Sequence, residues 1–375
     1  MKAIKYLSIL LCASTLTINA QGTDNINGVR SVKANSGGQI NVTLLVGSVK
    51  VLTWDKNEVA VKAEDVDEDE PVPFELSQSG NTINVKNNTN ASRGNSDIRI
   101  TVPLSFNVYI KTLQGDVKLL SSLKGNFQAS TDGGNISLEN INGYVNVKTF
   151  GGNILTSNII GDAVLSTNGG EIHTGNISGK CDVNTLGGNI VMKDVGRNAD
   201  VKTNGGDISI HNIGGSADIM TLGGSISILK IAGSANIETN GGDIKLNGAS
   251  DLIDAETKGG DIELHNIYGS IKTETMSGDI YVELKSAGNK SSSISTMNGG
   301  IKLLVDPNLK INIYAKSIGS GDEDDKMITS DFPAKEFSAN KYSNEQKAEY
   351  QLNGGGVRIN LSTINGEIEI RKIRK

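Results

Sequence analysis

The sequence predicts an all-β protein, a single elongated parallel β-solenoid (β-helix) with β caps at both ends. Three observations predict this fold class: a repeat of eighteen residues, apolar residues two positions apart within each repeat, and 45 glycines in a chain with only 5 prolines. Because the glycines follow no collagen period, their number indicates a regular role in turns.

The N-terminus has the features of an export signal. Two lysines precede a mostly apolar stretch from Tyr6 to Thr17, which is too short to span a bilayer as a helix. The small residue Ala20 is the favoured cleavage site. The alternative is a lipoprotein signal ending at Cys12, but the small residue that should precede such a cysteine is missing. We therefore expect a signal peptide over residues 1–20 and an exported chain, at the cell surface, in the outer envelope or in the periplasm.

The composition of the chain argues against nucleic acid as a partner and against membrane spans and disulfides in the mature chain. The chain carries 36 basic and 42 acidic side chains, and an acidic chain without a basic patch binds nucleic acid poorly. No segment after the leader is long and apolar enough for a transmembrane span in the mature chain. Cleavage would leave Cys181 as the single cysteine, so no internal disulfide can form. Stability must then come from packing and backbone pairing.

The repeat itself is the pattern Thr-x-Gly-Gly-x-Ile, which recurs every eighteen residues without a slip. Its copies begin at Thr131, Thr149, Thr167, Thr185, Thr203, Thr221, Thr239 and Thr257, with a variant at Thr275 and looser copies at Thr112, Thr296 and Thr363. Such a constant period indicates identical structural units stacked on one another.

Each unit divides into two halves of nine residues, such as GGDISIHNI at 205–213 and GGSADIMTL at 214–222. Apolar residues two positions apart predict a half-buried strand in each half, and the glycines that follow predict turns. One unit is therefore one coil of two short strands, and stacking places isoleucine on isoleucine. This column contains Ile136, Ile154, Ile172, Ile190, Ile208, Ile226, Ile244, Ile262 and Ile280.

Two features of the repeat concern polar positions. Columns of asparagine and threonine are expected to form hydrogen bonds from coil to coil at the corners. The residue after each threonine alternates between polar and apolar for seven coils and then stops alternating: Asp132, Phe150, Asn168, Leu186, Asn204, Leu222 and Asn240, followed by Lys258 and Met276. The eighteen-residue repeat alone gives no physical reason for this alternation.

The ends of the chain depart from the repeat. We expect an N-terminal β region over residues 21–111 that caps the solenoid, repeats over 112–305, and a C-terminal cap with a final repeat over 306–375. Terminal units must cover the exposed ends of the stack, which explains their different sequences. Two acidic runs, Glu64–Glu70 and Asp322–Asp325, are interpreted as solvated loops, with divalent-ion binding as the alternative.

Four segments carry a resemblance to a known family: GSVKVLTWDKNEVAVKAE, VPLSFNVYIKTLQGDV, the iterated GGDI/NIxG pattern, and LNGGGVRINLSTINGEIEI. They resemble the bacterial putative-adhesin family of β-strand-repeat proteins, a domain of unknown function. The chain is similar, more distantly, to the head-GIN-type putative adhesins common in Bacteroidetes. The resemblance covers nearly all of the mature chain in the family's order. It implies a β-solenoid on an exported or envelope protein, with no established catalytic residues.

The sequence predicts no catalytic, cofactor-binding or metal site. The calcium-binding β-roll is excluded because its glycine and aspartate positions hold apolar residues here. One candidate column remains, formed by Asp243, Asp261 and Asp279, which occupy the same position in successive coils and should lie about 4.8 Å apart. Two such carboxylates could bind calcium or act as a retaining glycosidase pair. Asn, Ser and Glu fill the same column elsewhere, which favours a structural role.

The other residues with reactive side chains favour structural interpretations. His211 and His265 share a column but lie three coils apart, about 14 Å, which is too far for one zinc ion, and His173 occupies a different position. Cys181 fills a small inward position and is expected in the core. The lone Trp54 is expected to pack in the N-terminal cap.

For function, we expect a non-enzymatic envelope scaffold or adhesin that presents its solenoid faces to an unknown macromolecule or glycan at the cell surface. The first alternative is a β-helix enzyme acting on polysaccharide, against which stand the 4% aromatic content and the lack of a cluster of acids and bases. The second is a regulatory or structural partner in the periplasm.

Overall fold

The computed structural model describes residues 23–25, 29–64, 72–87, 97–319, 326–340 and 342–374. The expected signal peptide with Cys12, the acidic run Asp322–Asp325, and all of the other acidic run except Glu64 lie outside the described residues. The described part of the chain consists of β-strands joined by turns. Within it, no helix is long and apolar enough to cross a membrane.

The strands form two long faces and one short sheet. Face A contains β1 (Thr23–Asn25), β2 (Val29–Lys33), β4 (Val49–Trp54), β5 (Glu58–Ala63), β8 (Ile98–Pro103), β10 (Val117–Leu119), β13 (Ile136–Leu138), β16 (Ile154–Thr156), β19 (Ile172–Thr174), β21 (Ile190–Val195), β23 (Ile208–Ile213), β25 (Ile226–Ile231), β27 (Ile244–Ala249), β29 (Ile262–Ile267), β31 (Ile280–Leu284), β33 (Ile301–Val305), β35 (Ile328–Ser330) and β39 (Ile368–Lys372). Face B contains β3 (Gly38–Thr43), β6 (Phe74–Ser79), β7 (Thr82–Asn87), β9 (Phe106–Lys111), β12 (Phe127–Thr131), β15 (Val145–Thr149), β18 (Ala163–Ser166), β20 (Cys181–Asn184), β22 (Ala199–Lys202), β24 (Ala217–Met220), β26 (Ala235–Glu238), β28 (Ile253–Thr257), β30 (Ile271–Ser277), β32 (Ser292–Asn298), β34 (Ile311–Ile318), β36 (Glu336–Asn340), β37 (Glu345–Leu352) and β38 (Val357–Ile364). The short sheet contains β11 (Leu123–Lys124), β14 (Ile141–Asn142) and β17 (Ile159–Ile160).

The core is the dry interior between the two faces. In β23, Ile208 and Ile210 point inward and are buried, while Ser209 between them is exposed. Ile208 pairs in parallel with Ile190 on one side and with Ile226 on the other, so like residues stack along the axis. The isoleucines of this column are each at most 1% exposed. The predicted parallel β-solenoid with two strands per coil is therefore confirmed.

Threonines close one corner of the coils in twelve successive copies of the repeat. The Thr149 hydroxyl donates to the carbonyl oxygen of Gly134 in the preceding coil (2.8 Å) and accepts from the N–H of Gly152 in its own coil (3.2 Å). The donated bond recurs along the stack, from Thr112, Thr131, Thr149, Thr167, Thr185, Thr203, Thr221, Thr239, Thr257, Thr275, Thr296 and Thr363, all at most 4% exposed. The threonine ladder thus ties each coil to its neighbour, as the polar column predicted.

The two glycines after each threonine have different roles. A Cβ atom added to the second glycine, Gly134, would lie 1.9 Å from the carbonyl oxygen of Gly115 in the preceding coil. A Cβ on Gly152 would lie 2.0 Å from the oxygen of Gly134. A Cβ on the first glycine, Gly133, would meet nothing within 4 Å. The spacing between coils therefore demands glycine at the second position only.

The coils of the N-terminal half bend where those of the C-terminal half run straight. On face A, β13 ends at Leu138 and β14 begins at Ile141, whereas β21 continues without a break from Ile190 to Val195. The break creates the short sheet, which isolated bridges extend through Ile177. A concave corner results along this half of the stack.

The ends of the stack are built from more than the repeat. Strand β3 lies between β7 and β9, and β38 lies between β32 and β34, so coils that come early and late in the chain are inserted between others. Antiparallel partners cover the outer strands: β6 pairs with β7, and β37 pairs with β34. The predicted β caps are present, and their antiparallel pairing satisfies backbone groups that a bare solenoid end would expose.

The glycine asymmetry gives a first prediction. We expect Gly134→Ala to lower the free energy of unfolding by about 3 kcal/mol or more, because the new methyl group overlaps the Gly115 carbonyl. The matched variant Gly133→Ala should change it by less than about 0.5 kcal/mol, since the space is open. Urea unfolding followed by circular dichroism measures both, and equal effects would show that the coil spacing does not select glycine.

The threonines give a second prediction. Thr156 is buried on face A, and its hydroxyl has no hydrogen-bond partner among the described residues. We expect Thr156→Val to raise the free energy of unfolding by about 1 kcal/mol, whereas Thr149→Val should lower it by about 2 kcal/mol because two backbone groups lose their partner. The same urea experiment applies, and a loss of stability in Thr156→Val would contradict the unpaired hydroxyl.

Candidate binding groove

The bent corner of the N-terminal half forms a groove with a volume of about 730 Å³. Its lining comes from six successive coils, and the five coils from residues 122–124 to Asp194 extend over about 19 Å at a coil spacing of about 4.8 Å. We call it the asparagine groove, and its lining consists of Leu104, residues 122–124, 140–142, 158–160 and 176–178, Asp194 and Gly196. Pockets of about 300–1,000 Å³ are the usual size of ligand sites in proteins.

Apolar side chains and amides make up most of the groove. Ile141, Ile159 and Ile177 stack in register and are each 1% exposed, so they form a floor fixed by the short sheet. Ile160 projects outward beside them and is 61% exposed. The Asn158 amide donates to Asn140 Oδ1 (2.8 Å), which orients both side chains along the stack. The groove therefore offers apolar surface next to oriented amide donors and acceptors.

Among the described residues that line the asparagine groove, the charged side chains lie near its two ends. Lys124 lies at one end and Asp194 at the other. The Asp194 carboxylate is already engaged, with His211 Nδ1 at 2.9 Å and the Asn212 amide at 2.7 Å. The contact with His211, followed by that with Asn212, lowers the pKa of Asp194 below its usual range. The middle of the groove is thus uncharged.

Face B carries a second candidate surface, which is acidic. Asp182, Asp200 and Asp218 lie in register on successive outward positions. Lys202 lies 2.9 Å from Asp200 and 3.1 Å from Asp218, and the hydrogen bond to Asp200, followed by that to Asp218, raises the pKa of the lysine. The lysine neutralises part of this column, so the surface is an ion-pair network in which basic side chains are interspersed.

The C-terminal cap carries a third surface, a groove of about 840 Å³ that combines aromatic and basic side chains. The Arg358 guanidinium lies 4.0 Å from the centre of the Tyr314 ring. Phe337 beside them is 56% exposed. Lys335 pairs with Glu349 in the same groove (2.9 Å). Two of its basic side chains, Arg358 and Lys335, therefore already have partners within the chain.

The candidate carboxylate column caps the backbone. The N–H of Asp261 donates to Asp243 Oδ1 (2.9 Å), that of Asp279 to Asp261 Oδ1 (2.8 Å), and that of Gly300 to Asp279 Oδ1 (2.7 Å). Asn135 accepts in the same way from the N–H of Asn153. The column is one side-chain ladder in which Asp and Asn are interchangeable. Among the residues that the structure describes, no group of three or more His, Cys, Asp or Glu could hold a metal ion.

The three histidines lie apart from one another, each beside a carboxylate. His173 is 3.1 Å from Glu171, His265 is 3.4 Å from Glu263, and His211 contacts Asp194 as described. Each is at least partly exposed, so the structure places the histidines on the surface of the coils.

Cys181 and Trp54 both serve packing. Cys181 is 5% exposed and stacks in register between Ala163 and Ala199, and burial raises the pKa of its thiol to about 12. Trp54 donates from Nε1 to the Glu58 carbonyl oxygen (2.7 Å), and Lys56 covers its ring at 4.9 Å. Neither lines the asparagine groove, which sequence reasoning missed because the eighteen-residue repeat does not reveal where the coils bend.

The fold and the asparagine groove define a repetitive β-solenoid with a concave corner whose middle is uncharged. The chain belongs to the Toastrack DUF4097 family, whose pattern it matches over residues 14–212, 161–303 and 197–371. The family match confirms the resemblance drawn from the repeat and its flanking segments. No curated protein matches the chain at a significant level.

Two solved structures are similar over most of their length. One is described as a putative cell adhesion protein from Clostridium sporogenes ATCC 15579, with 8% identity, 92% of this chain and 98% of that chain covered, and a TM-score of 0.16. The other is described as a putative adhesin from Bacteroides fragilis NCTC 9343, with 11% identity, coverage of 92% and 96%, and a TM-score of 0.17. At TM-scores this low, neither likeness supports a conclusion about this chain.

The buried thiol gives a third prediction. In a chain that begins at Gln21, we expect Cys181 to react with a thiol reagent at neutral pH at least about a hundredfold more slowly than in urea, because burial disfavours the thiolate. The matched variant Cys181→Ala/Asp182→Cys places the thiol on the exposed side of the same strand and should react fast without urea. Fast labelling of folded wild-type chain would contradict the inward position of Cys181.

Proposed function

We propose that this chain is a non-enzymatic, exported envelope protein of the adhesin type, which binds an uncharged macromolecular chain, glycan or polypeptide, along its solenoid surface. The asparagine groove is the observation that carries the proposal. It is concave, of ligand-site size, and continuous over six coils.

The chemistry of the groove selects the class of partner. Amide side chains such as Asn158 both donate and accept hydrogen bonds, which suits hydroxyl groups and peptide groups equally well. The stacked isoleucines beneath them favour the apolar face of a sugar ring or a side chain. Because charge lies only at Lys124 and Asp194, about 19 Å apart, a densely charged polymer gains little there. An extended neutral chain lying along the axis fits this pattern best.

A binding role is better supported than a catalytic one. Glycoside hydrolysis needs a pair of carboxyl groups on either side of the bond that breaks, about 5 to 9.5 Å apart. The described lining of the asparagine groove contains one carboxylate, Asp194, which His211 and Asn212 already engage. This arrangement lacks the second acid that the chemistry requires.

Export is proposed from the sequence. The lysines and apolar stretch of residues 1–20 have the features of a cleavable signal, and an excess of acidic over basic side chains argues against nucleic acid as the partner. We place the mature chain at the cell surface or in the outer envelope, with the periplasm as the alternative. Labelling of intact cells with an impermeant reagent, compared with lysed cells, distinguishes these compartments.

Binding gives the fourth prediction. On an array of glycans and extracellular matrix proteins, we expect Ile160→Glu to weaken the wild-type interactions at least tenfold, because it places a charge on the rim of the asparagine groove. Leu155→Glu is the matched control: it lies in the same coil, is 55% exposed, and is not part of the groove. Circular dichroism should show both variants folded.

Two outcomes would overturn the location of the site. In the first, Ile160→Glu binds every ligand as the wild type does. In the second, Phe337→Glu in the C-terminal groove abolishes binding while Ile160→Glu does not. If no ligand bound and no surface labelling were found, the adhesin proposal itself would fail.

A further inference from the structure

The corner closed by the threonine ladder carries an exposed row of side chains, which we call the corner ridge. It consists of the residue that follows each ladder threonine, together with Leu45, which occupies the same position beside Leu113. In the order of the stack the ridge contains Leu45, Leu113, Asp132, Phe150, Asn168, Leu186, Asn204, Leu222, Asn240, Lys258, Met276, Met297 and Ile364.

The apolar members of the ridge are exposed. Phe150 is 62% exposed, Leu186 49% and Leu222 47%, while the residues between them are asparagines. Two coils separate each of these apolar side chains from the next, so they stand about 9.6 Å apart. The backbone beneath them is already paired, since the N–H of Leu222 donates to the Asn204 carbonyl oxygen (3.2 Å). Packing within one chain therefore does not explain the alternation.

The order of the ridge is self-complementary about a point between Leu186 and Asn204. Residues at equal distances on the two sides of this point form six pairs of complementary character. Apolar residues pair with asparagine near the centre, Asp132 pairs with Lys258, and apolar residues pair with each other further out. The pairs are Leu186 with Asn204, Asn168 with Leu222, Phe150 with Asn240, Asp132 with Lys258, Leu113 with Met276, and Leu45 with Met297.

We propose that the corner ridge is a homodimer interface, in which a second copy of this chain lies antiparallel along it with its twofold axis between Leu186 and Asn204. An antiparallel twofold axis brings each residue against the one at equal distance on the other side. The exposed leucines and Phe150 then fit between one another over the shorter asparagines. The break in the alternation at Lys258 follows too, because that lysine faces Asp132 of the second copy.

The spacing of the ridge favours a second copy over other partners. A second solenoid has the same rise per coil, so side chains about 9.6 Å apart stay in step along the whole ridge. An α-helix rises about 10.5 Å per heptad of seven residues, so its repeat would drift out of step with the ridge by about 2 Å over three apolar side chains. A ridge about 50 Å long and about 10 Å wide buries about 1,000 Å² in total between two copies, near the lower limit for a specific interface.

Charge complementarity supports the same register. Asp132 and Lys258 are exposed and form no ion pair with any other residue that the structure describes. The twofold axis would bring them together twice, once at each end of the interface. The asparagine groove lies at the other corner of the coil, so the dimer leaves it open and does not depend on the proposed function.

Charge reversal tests the register. Using the chain from Gln21 onward, sedimentation velocity over a range of micromolar concentrations should show a monomer–dimer equilibrium. Asp132→Lys and Lys258→Asp should each raise the dissociation constant at least tenfold, because each creates two like-charge contacts. The double variant Asp132→Lys/Lys258→Asp should restore dimerisation, and so should a mixture of the two single variants, in which both contacts become complementary.

The apolar contacts allow a second, independent measurement. Leu186→Asn copies the asparagine found in neighbouring coils, so it should fold normally and yet shift the chain towards monomer at least tenfold. Asn204→Leu fills the gap that Leu186 of the second copy occupies and should also weaken the dimer, whereas a merely adhesive apolar surface would associate more strongly. Leu229→Asn, which removes an exposed leucine outside the ridge, is the matched control and should leave dimerisation unchanged. A wild-type chain that stays monomeric, or charge reversals without effect and without mutual rescue, would overturn the proposal.

Discussion

The structure depends on the close approach of successive coils at the threonine corner. The second glycine of Thr-x-Gly-Gly lies so near the preceding coil that a Cβ atom would come within about 2 Å of a carbonyl oxygen, as at Gly134 and Gly152. Into the same corner the threonine hydroxyl, as in Thr149, donates one hydrogen bond across the coils and accepts one within its own coil. One short motif thus fixes the spacing between coils and supplies hydrogen bonds to the backbone groups at this corner. The isoleucine column gains its dry stacking only because this spacing is constant.

That constraint acts on the inside of the coil and leaves the outside free to vary. Inward positions repeat with little change, whereas outward positions differ from coil to coil, as do Ser137, Leu155 and His173 in successive strands of face A. The first glycine of the corner is open to solvent, and the residue before it forms the corner ridge. In a solenoid, outward residues can therefore form binding surfaces while the stacked interior provides the stability.

Polar ladders that resemble catalytic or metal sites are explained by the need to pair backbone N–H groups. Asp243, Asp261 and Asp279 recur at one position because each carboxylate accepts the next coil's N–H, which asparagine does equally well at Asn135. The two proposed interaction surfaces lie instead where the pattern is broken. Face A bends between Leu138 and Ile141, and the corner ridge loses its alternation at Lys258.

The sequence by itself determined the solenoid, its eighteen-residue coil, the inward isoleucines and the buried positions of Cys181 and the threonines, because these depend on local period and on contacts between neighbouring coils. Only the tertiary structure decided which coils come to lie side by side at the ends: Thr363 stacks on Thr296 although most of the C-terminal cap lies between them in the chain. It also decided where the coils bend and form the asparagine groove. Both outcomes depend on contacts between distant segments, which no local period encodes.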